Sequence, residues 1–131
     1  MKNVQKWLKH NQLTLNMKTT NYIIFKSHQK QCTKELRVTL NGNIIDNVHS
    51  TKFLGVIIDE HLTWKYHIDY ITKKVAKLVG IICKARHFII QELLINLYYS
   101  LIYPHLIYGN IVWANNYKTR LEKLFKMQKR P

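Results

Sequence analysis

Residues 52–82 read KFLGVIIDEHLTWKYHIDYITKKVAKLVGII, and the spacing of the apolar residues changes within them. Lys52 to Ile58 is a β-rich apolar run with one interior glycine, Gly55. Glycine inside a strand marks a bulge or the close approach of another backbone. After Asp59 the period lengthens. Ile68, Ile71, Val75, Leu78 and Ile82 follow steps of three and four, which places them on one helical face. Thr63 is placed to act as the N-cap. Lys73, Lys77 and Lys84 fall within about 40° of one another on the helical wheel, opposite the apolar stripe.

Upstream, the pattern is that of short elements. Val4, Trp7 and Leu8 form the apolar side of a short helix that Asn11 ends. Tyr22 to Phe25 reads as a strand, and Ser27 to Lys34 as a polar loop. Leu36, Val38 and Leu40 alternate with polar residues, as in a half-buried strand. Asn41-Gly42 follows and suits a two-residue hairpin turn into Asn43–Ile45. Downstream, Gln91 to Tyr103 predicts a helix that is apolar nearly all round, hence buried, and that stops before Pro104. His105 to Trp113 predicts a third helix. Thr119 to Lys129 predicts a fourth, with Leu121, Leu124 and Phe125 inward and Lys123, Lys126 and Lys129 outward. The expected class is α+β: a short helix and a small antiparallel strand segment over residues 1–60, then a helical bundle over 61–131. Both ends read as cut, because the chain opens inside a helix without a cap and closes on Arg130-Pro131, still basic.

Lys plus Arg number 21 and Asp plus Glu 7 in 131 residues, a net charge of +14. Apolar residues make up 47%, enough for a core, which excludes a disordered basic tail. The charge calls for a polyanionic partner, nucleic acid first and an anionic membrane second. Cys32 and Cys83 form no CxxC pair and no zinc-finger spacing, and two isolated cysteines suit a reducing compartment. Met1 to Lys9 has no continuous apolar h-region, so the expected location is intracellular, nuclear or cytoplasmic, and not secreted. Leu93 to Trp113 carries no Lys, Arg, Asp or Glu, but its Asn96, Ser100, Pro104, His105 and Asn110 suit a buried helix pair broken at the proline. A small membrane protein anchored there is the lesser alternative.

Two-metal phosphoryl chemistry needs converging carboxylates. The inventory is Glu35, Asp46, Asp59, Glu60, Asp69, Glu92 and Glu122. Only Asp59 and Glu60 are adjacent, and they read as a solvated strand end. None of the seven histidines makes an HxxxH or HExxH pair, and Walker A, GxGxxG and GxSxG motifs are absent. No catalytic residue, metal ligand or cofactor is expected from the residues themselves.

Several strings carry a resemblance through their order. They are Leu13-Thr-Leu-Asn16, Asn41-Gly42, Phe53-Leu-Gly-Val-Ile-Ile-Asp59, Leu62-Thr-Trp-Lys65 with His67-Ile68, Leu101-Ile-Tyr-Pro-His-Leu-Ile-Tyr-Gly109 and Val112-Trp113. The chain resembles the carboxy-terminal palm and thumb of reverse transcriptases from jockey-like non-LTR retrotransposons. The resemblance implies a late palm motif at Asn16, Lys18, Thr19 and Thr20, a primer-grip-like hairpin at Phe53, Leu54 and Gly55, and thumb helices from about residue 63. It implies contact of Lys73, Lys77 and Lys84 with the backbone of an RNA–DNA or DNA duplex, without sequence preference. In the family that palm motif commonly reads Asn-x-x-Lys-Thr, and here Thr19 stands at the lysine position with Lys18 one place early. The family's Asp-Asp motif is absent, so the chain alone is expected to be inactive. Mg²⁺ is implied only for the intact polymerase, whose fingers and catalytic palm are missing here. The rival reading is a domesticated nucleic-acid-binding cofactor.

Overall fold

In the computed structural model the described residues are 2–16, 19–29, 36–40, 42–115 and 118–128. The expectations that rest on Lys18, Cys32, Glu35, Asn41, Lys129, Arg130 and Pro131 lie outside them. The elements run α1 (Lys2–His10), β1 (Asn21–Tyr22), β2 (Thr39–Leu40), β3 (Asn43–Ile44), β4 (Asp46–Asn47), β5 (Ser50–Phe53), β6 (Val56–Asp59), α2 (Lys65–Ala85), α3 (Gln91–Leu97), a π-helical stretch (Tyr98–Ile102), α4 (Tyr103–Ile107), α5 (Asn110–Trp113) and α6 (Lys118–Gln128). The chain is α+β. It divides into two compact units, one of Met1–Thr51 with Asp59–Leu62 and one of Lys52–Ile58 with Thr63–Pro131.

The first unit is built from two-residue ladders. Asn11 ends α1, and both its backbone N–H and its side-chain amide donate to the Trp7 carbonyl. β2 and β3 are antiparallel, pairing Leu40 with Asn43 across positions 41 and 42. β1 pairs with β4 in parallel, Asn21 beside Asp46, so the expected all-antiparallel arrangement is not complete. The expected strand at Tyr22–Phe25 shrinks to its first residue, and the chain beyond it runs without ladder partners. Val38, Leu40 and Ile45 form a small core under Tyr22, whose hydroxyl donates to the Leu36 carbonyl. Glu60 ties this unit together through Lys26 at 3.0 Å and His49 at 3.2 Å. The Lys26 ammonium and then the His49 ring hold the Glu60 carboxyl below its ordinary range. His61 adds a contact to Glu60 at 3.5 Å, meets the Lys26 carbonyl at 2.9 Å and stacks on His28 at 3.9 Å. The expected solvated strand end is therefore corrected. Asp59 is buried, and Glu60 is an ion-pair hub.

The second unit has the larger core. Ile68, Ile71, Val75, Val79 and Ile82 of α2 pack with Ile102, Trp113, Leu121 and Leu124. The stripe read from the sequence is there, with Val79 fully in it and Leu78 only half-buried. Thr63 is not the N-cap. That position falls to Trp64, in the left-handed region, while the Thr63 hydroxyl accepts the Lys65 N–H at 3.4 Å. The helix expected to stop before Pro104 continues through it. Proline lacks an N–H and crowds the carbonyl four residues back. The turn before it is widened, with the Tyr103 N–H bonding the Tyr98 carbonyl five residues earlier. The widening absorbs the proline, and α4 carries it in its first turn.

This helical run is not buried all round either. Ile102 is sealed, but Leu93, Ile95, Tyr99 and Tyr103 face solvent. Phe125, expected inward, is exposed as well. A chain break in direction at Tyr108–Gly109 separates α4 from α5, where one continuous helix was expected. No helix among the described residues is long and apolar enough to cross a membrane.

Truncating Ile102 to Ala removes a fully enclosed side chain and should destabilise the protein by about 2–5 kcal/mol. Phe125→Ser should change stability by less than about 0.5 kcal/mol. Urea melts of the two variants check the contrast, and equal losses would contradict this core assignment.

Candidate nucleic-acid interface

The run around Gly55 is a hairpin, not one strand. β5 and β6 meet through Leu54-Gly55, with φ of 46° and 85°. Positive φ at both loop positions is the geometry that suits the twist of a two-residue hairpin. Gly55 adopts it freely. Leu54, a bulky side chain, is strained there. A Cβ on Gly55 would lie 3.4 Å from the Tyr108 ring, so the glycine serves both the bend and a close approach.

That ring belongs to a set of contacts that clamps the hairpin tip. The Tyr108 hydroxyl donates to the Leu54 carbonyl at 2.5 Å. Trp113 Nε1–H donates to the Tyr108 carbonyl at 2.8 Å. Gly109, at φ 63°, turns the chain between them, and a Cβ there would touch Val56 at 3.4 Å. From α2, His67 Nδ1 accepts the Ile57 N–H at 3.2 Å, and its ring meets Trp113 edge-on at 5.6 Å. His67 is 2% exposed, and its Nε2 has no hydrogen-bond partner among the described residues. Accepting at Nδ1 requires the neutral ring with its proton on Nε2. Burial pushes the His67 pKa down from its ordinary value, in keeping with that tautomer.

Clamped in this way, the tip presents apolar side chains to solvent. Phe53 is 61% and Leu54 74% exposed. Lys73, Lys77 and Lys84 are all exposed on the outer side of α2, opposite the core stripe. The same unit therefore carries the hairpin and the three lysines. Lys74 lies on α2 beside His105, and burial together with the Lys74 charge lowers the His105 pKa. Asn16, Thr19 and Thr20, where a late palm motif is expected, belong to the first unit. There the Asn16 carbonyl accepts the Thr19 and Thr20 N–H groups at 3.1 Å and both hydroxyls, the closer at 2.8 Å. Among the described residues no three His, Cys, Asp or Glu side chains converge so as to hold a metal ion.

The sequence reading missed the clamp. His67 could have been found, because it precedes Ile71 by four residues and so shares the apolar stripe. Tyr108 gave no local signal, since its partner Leu54 is 54 residues away.

Over 128 residues, 95% of its length, the chain is 28% identical to the RNA-directed DNA polymerase from mobile element jockey of Drosophila melanogaster. It is 25% identical over the same span to the corresponding Drosophila funebris protein. The chain spans about 14% of the length of these relatives. It is thus similar over nearly its whole extent to one segment of a jockey reverse transcriptase, as the ordered strings imply. No family model and no solved structure matches it.

His67 gives the clamp a pH window. The unfolded ring titrates near its ordinary 6.5, and the folded ring stays neutral to lower pH. The unfolded state therefore binds more protons as pH falls below that value. The His67 contribution is complete above it and is lost as pH drops through the folded pKa. Urea midpoints between pH 7.5 and pH 5 should fall. In His67→Gln, which can still accept from Ile57, the fall should be smaller. An unchanged slope in H67Q would remove His67 from this role.

Proposed function

We propose that the helical unit is a nucleic-acid-holding module of a jockey-like reverse transcriptase, binding the backbone of an RNA–DNA or DNA duplex without sequence preference. The observation that carries this reading is the placement of Lys73, Lys77 and Lys84 on one exposed face of α2 while the opposite face is sealed in the core. Lysines arranged along a rigid helix neutralise phosphates without reading bases. Similarity to the jockey polymerases supplies the class of nucleic acid.

The hairpin tip supports a second contact of the same module. Leu54 combines backbone strain with 74% exposure, two features that stability alone disfavours. Phe53, Leu54 and Gly55 then form the primer-grip-like element, held by Tyr108 and His67. RNA-templated DNA synthesis with Mg²⁺ belongs to the intact polymerase. This chain contains no Asp-Asp pair, and its own role is to bind.

Duplex binding should weaken steeply with salt, by about 0.9 logarithmic units per phosphate contacted. Replacing Lys73, Lys77 and Lys84 with glutamine should flatten the slope by roughly three contacts' worth, with helix content unchanged. Anisotropy titrations with unrelated duplexes at several salt concentrations test this, and an unchanged slope would refute it. Leu54→Gly should raise the urea midpoint by relieving the turn, yet weaken duplex binding. Stabilisation with intact binding would reduce Leu54 to a tolerated defect.

A further inference from the structure

The outer face of α2 is not uniformly basic. Tyr66, Tyr70, Lys73, Lys77 and Lys84 fall within about 60° of one another around the helix axis. The order along the axis is segregated, with the two tyrosines in the first turns and the lysines after them. The stripe from Tyr66 to Lys84 is roughly 27 Å long at the helical rise of 1.5 Å per residue. Tyr66 is 58% exposed, and Tyr70 is also exposed. Lys52 of β5 places its ammonium 5.3 Å from the Tyr70 ring centroid, so a cation from the hairpin joins the tyrosine end.

A solubilising helix face has no need of two outward aromatic rings beside a cation. Phosphate contact alone does not use them either. Aromatic rings beside lysines have the chemistry to stack unpaired bases, whose faces are accessible only outside a duplex. Stacking is indifferent to base identity, in keeping with a module that reads no sequence. Lys52 is placed to neutralise the phosphate of the nucleotide stacked there.

From this arrangement we infer that the stripe is a junction reader. Tyr66 and Tyr70, with Lys52, take one or two unpaired nucleotides, while Lys73, Lys77 and Lys84 hold the adjoining duplex backbone. This deepens the reading above and shares with it the premise that the outer face of α2 meets nucleic acid. It adds a polarity along the helix, single strand at the amino end and duplex at the carboxyl end.

The full chain is titrated by fluorescence anisotropy against a blunt 16-base-pair duplex, the same duplex with a four-nucleotide overhang, and an unpaired oligothymidine. Wild-type protein should prefer the overhang duplex to the blunt one by at least about fivefold. In Tyr66→Leu/Tyr70→Leu, which keeps apolar bulk at exposed positions, that preference should vanish. Blunt-duplex affinity and its salt slope should not change. Circular dichroism of the double variant checks that α2 persists, and the single variant Tyr66→Leu, farther from the Lys52 contact, should show a partial loss. Equal affinity of wild type for both duplexes, or a preference that survives in the folded double variant, overturns the inference and leaves lysine-dependent duplex binding standing. If the lysine variant binds blunt duplex as wild type does while the tyrosine-dependent overhang preference is present, the duplex reading fails and the stacking site stands.

Discussion

The hairpin of the helical unit hangs on one hydrogen bond at its tip, from the Tyr108 hydroxyl to the Leu54 carbonyl. A two-stranded hairpin is marginal alone in water. This one gains a fixed position because its tip is held at a carbonyl, at the Ile57 N–H by His67, and against Gly109 by Val56. Trp113 links the two sides, meeting His67 with its ring and the Tyr108 carbonyl with its N–H. The exposed Phe53 and Leu54 are therefore carried on a tip that is held from several sides. The glycine at position 55 is explained by the bend, since its φ of 85° is one that side chains rarely adopt, while a Cβ there would only touch the Tyr108 ring.

Local periodicity made much of this unit readable. The α2 stripe, the start of the β-rich run and the lysine face all follow from repeats within a few residues of one another. What escaped was decided at long range. The run Phe53–Ile58 is apolar and does not show in its own pattern that it doubles back at Leu54, a hairpin that only the resemblance implied, because leucine is a poor choice for a left-handed position. The burial of Asp59 was equally silent, since a carboxylate at a strand end reads as solvated until its surroundings are known. The continuation of the helix through Pro104 ran against the usual rule for proline, and the rule failed because the turn ahead of the ring was already one residue wider.

The first unit follows a different logic. Its core of Val38, Leu40 and Ile45 is small, and its ladders are two residues long. Polar ties supply what apolar burial does not. Glu60 collects Lys26, His49 and His61, and Asn16 gathers two amides and two hydroxyls on one carbonyl. Such networks leave little trace in hydropathy, which is why the sequence pattern upstream of Asp59 spoke of strands longer than those that form.

The widened turn at Tyr98–Ile102 works as a phase shifter. One extra residue in a turn rotates everything after it by about 100° relative to an uninterrupted α-helix. Ile102 then faces the core, and the chain beyond it arrives at Tyr108 with the ring turned toward the hairpin. The helix thus measures angle as well as length. Removing one residue would let this turn close as an ordinary α-turn with Tyr108 in the same phase, whereas narrowing the turn with every residue kept would swing Tyr108 about 100° away from Leu54 and leave the hairpin without its anchor.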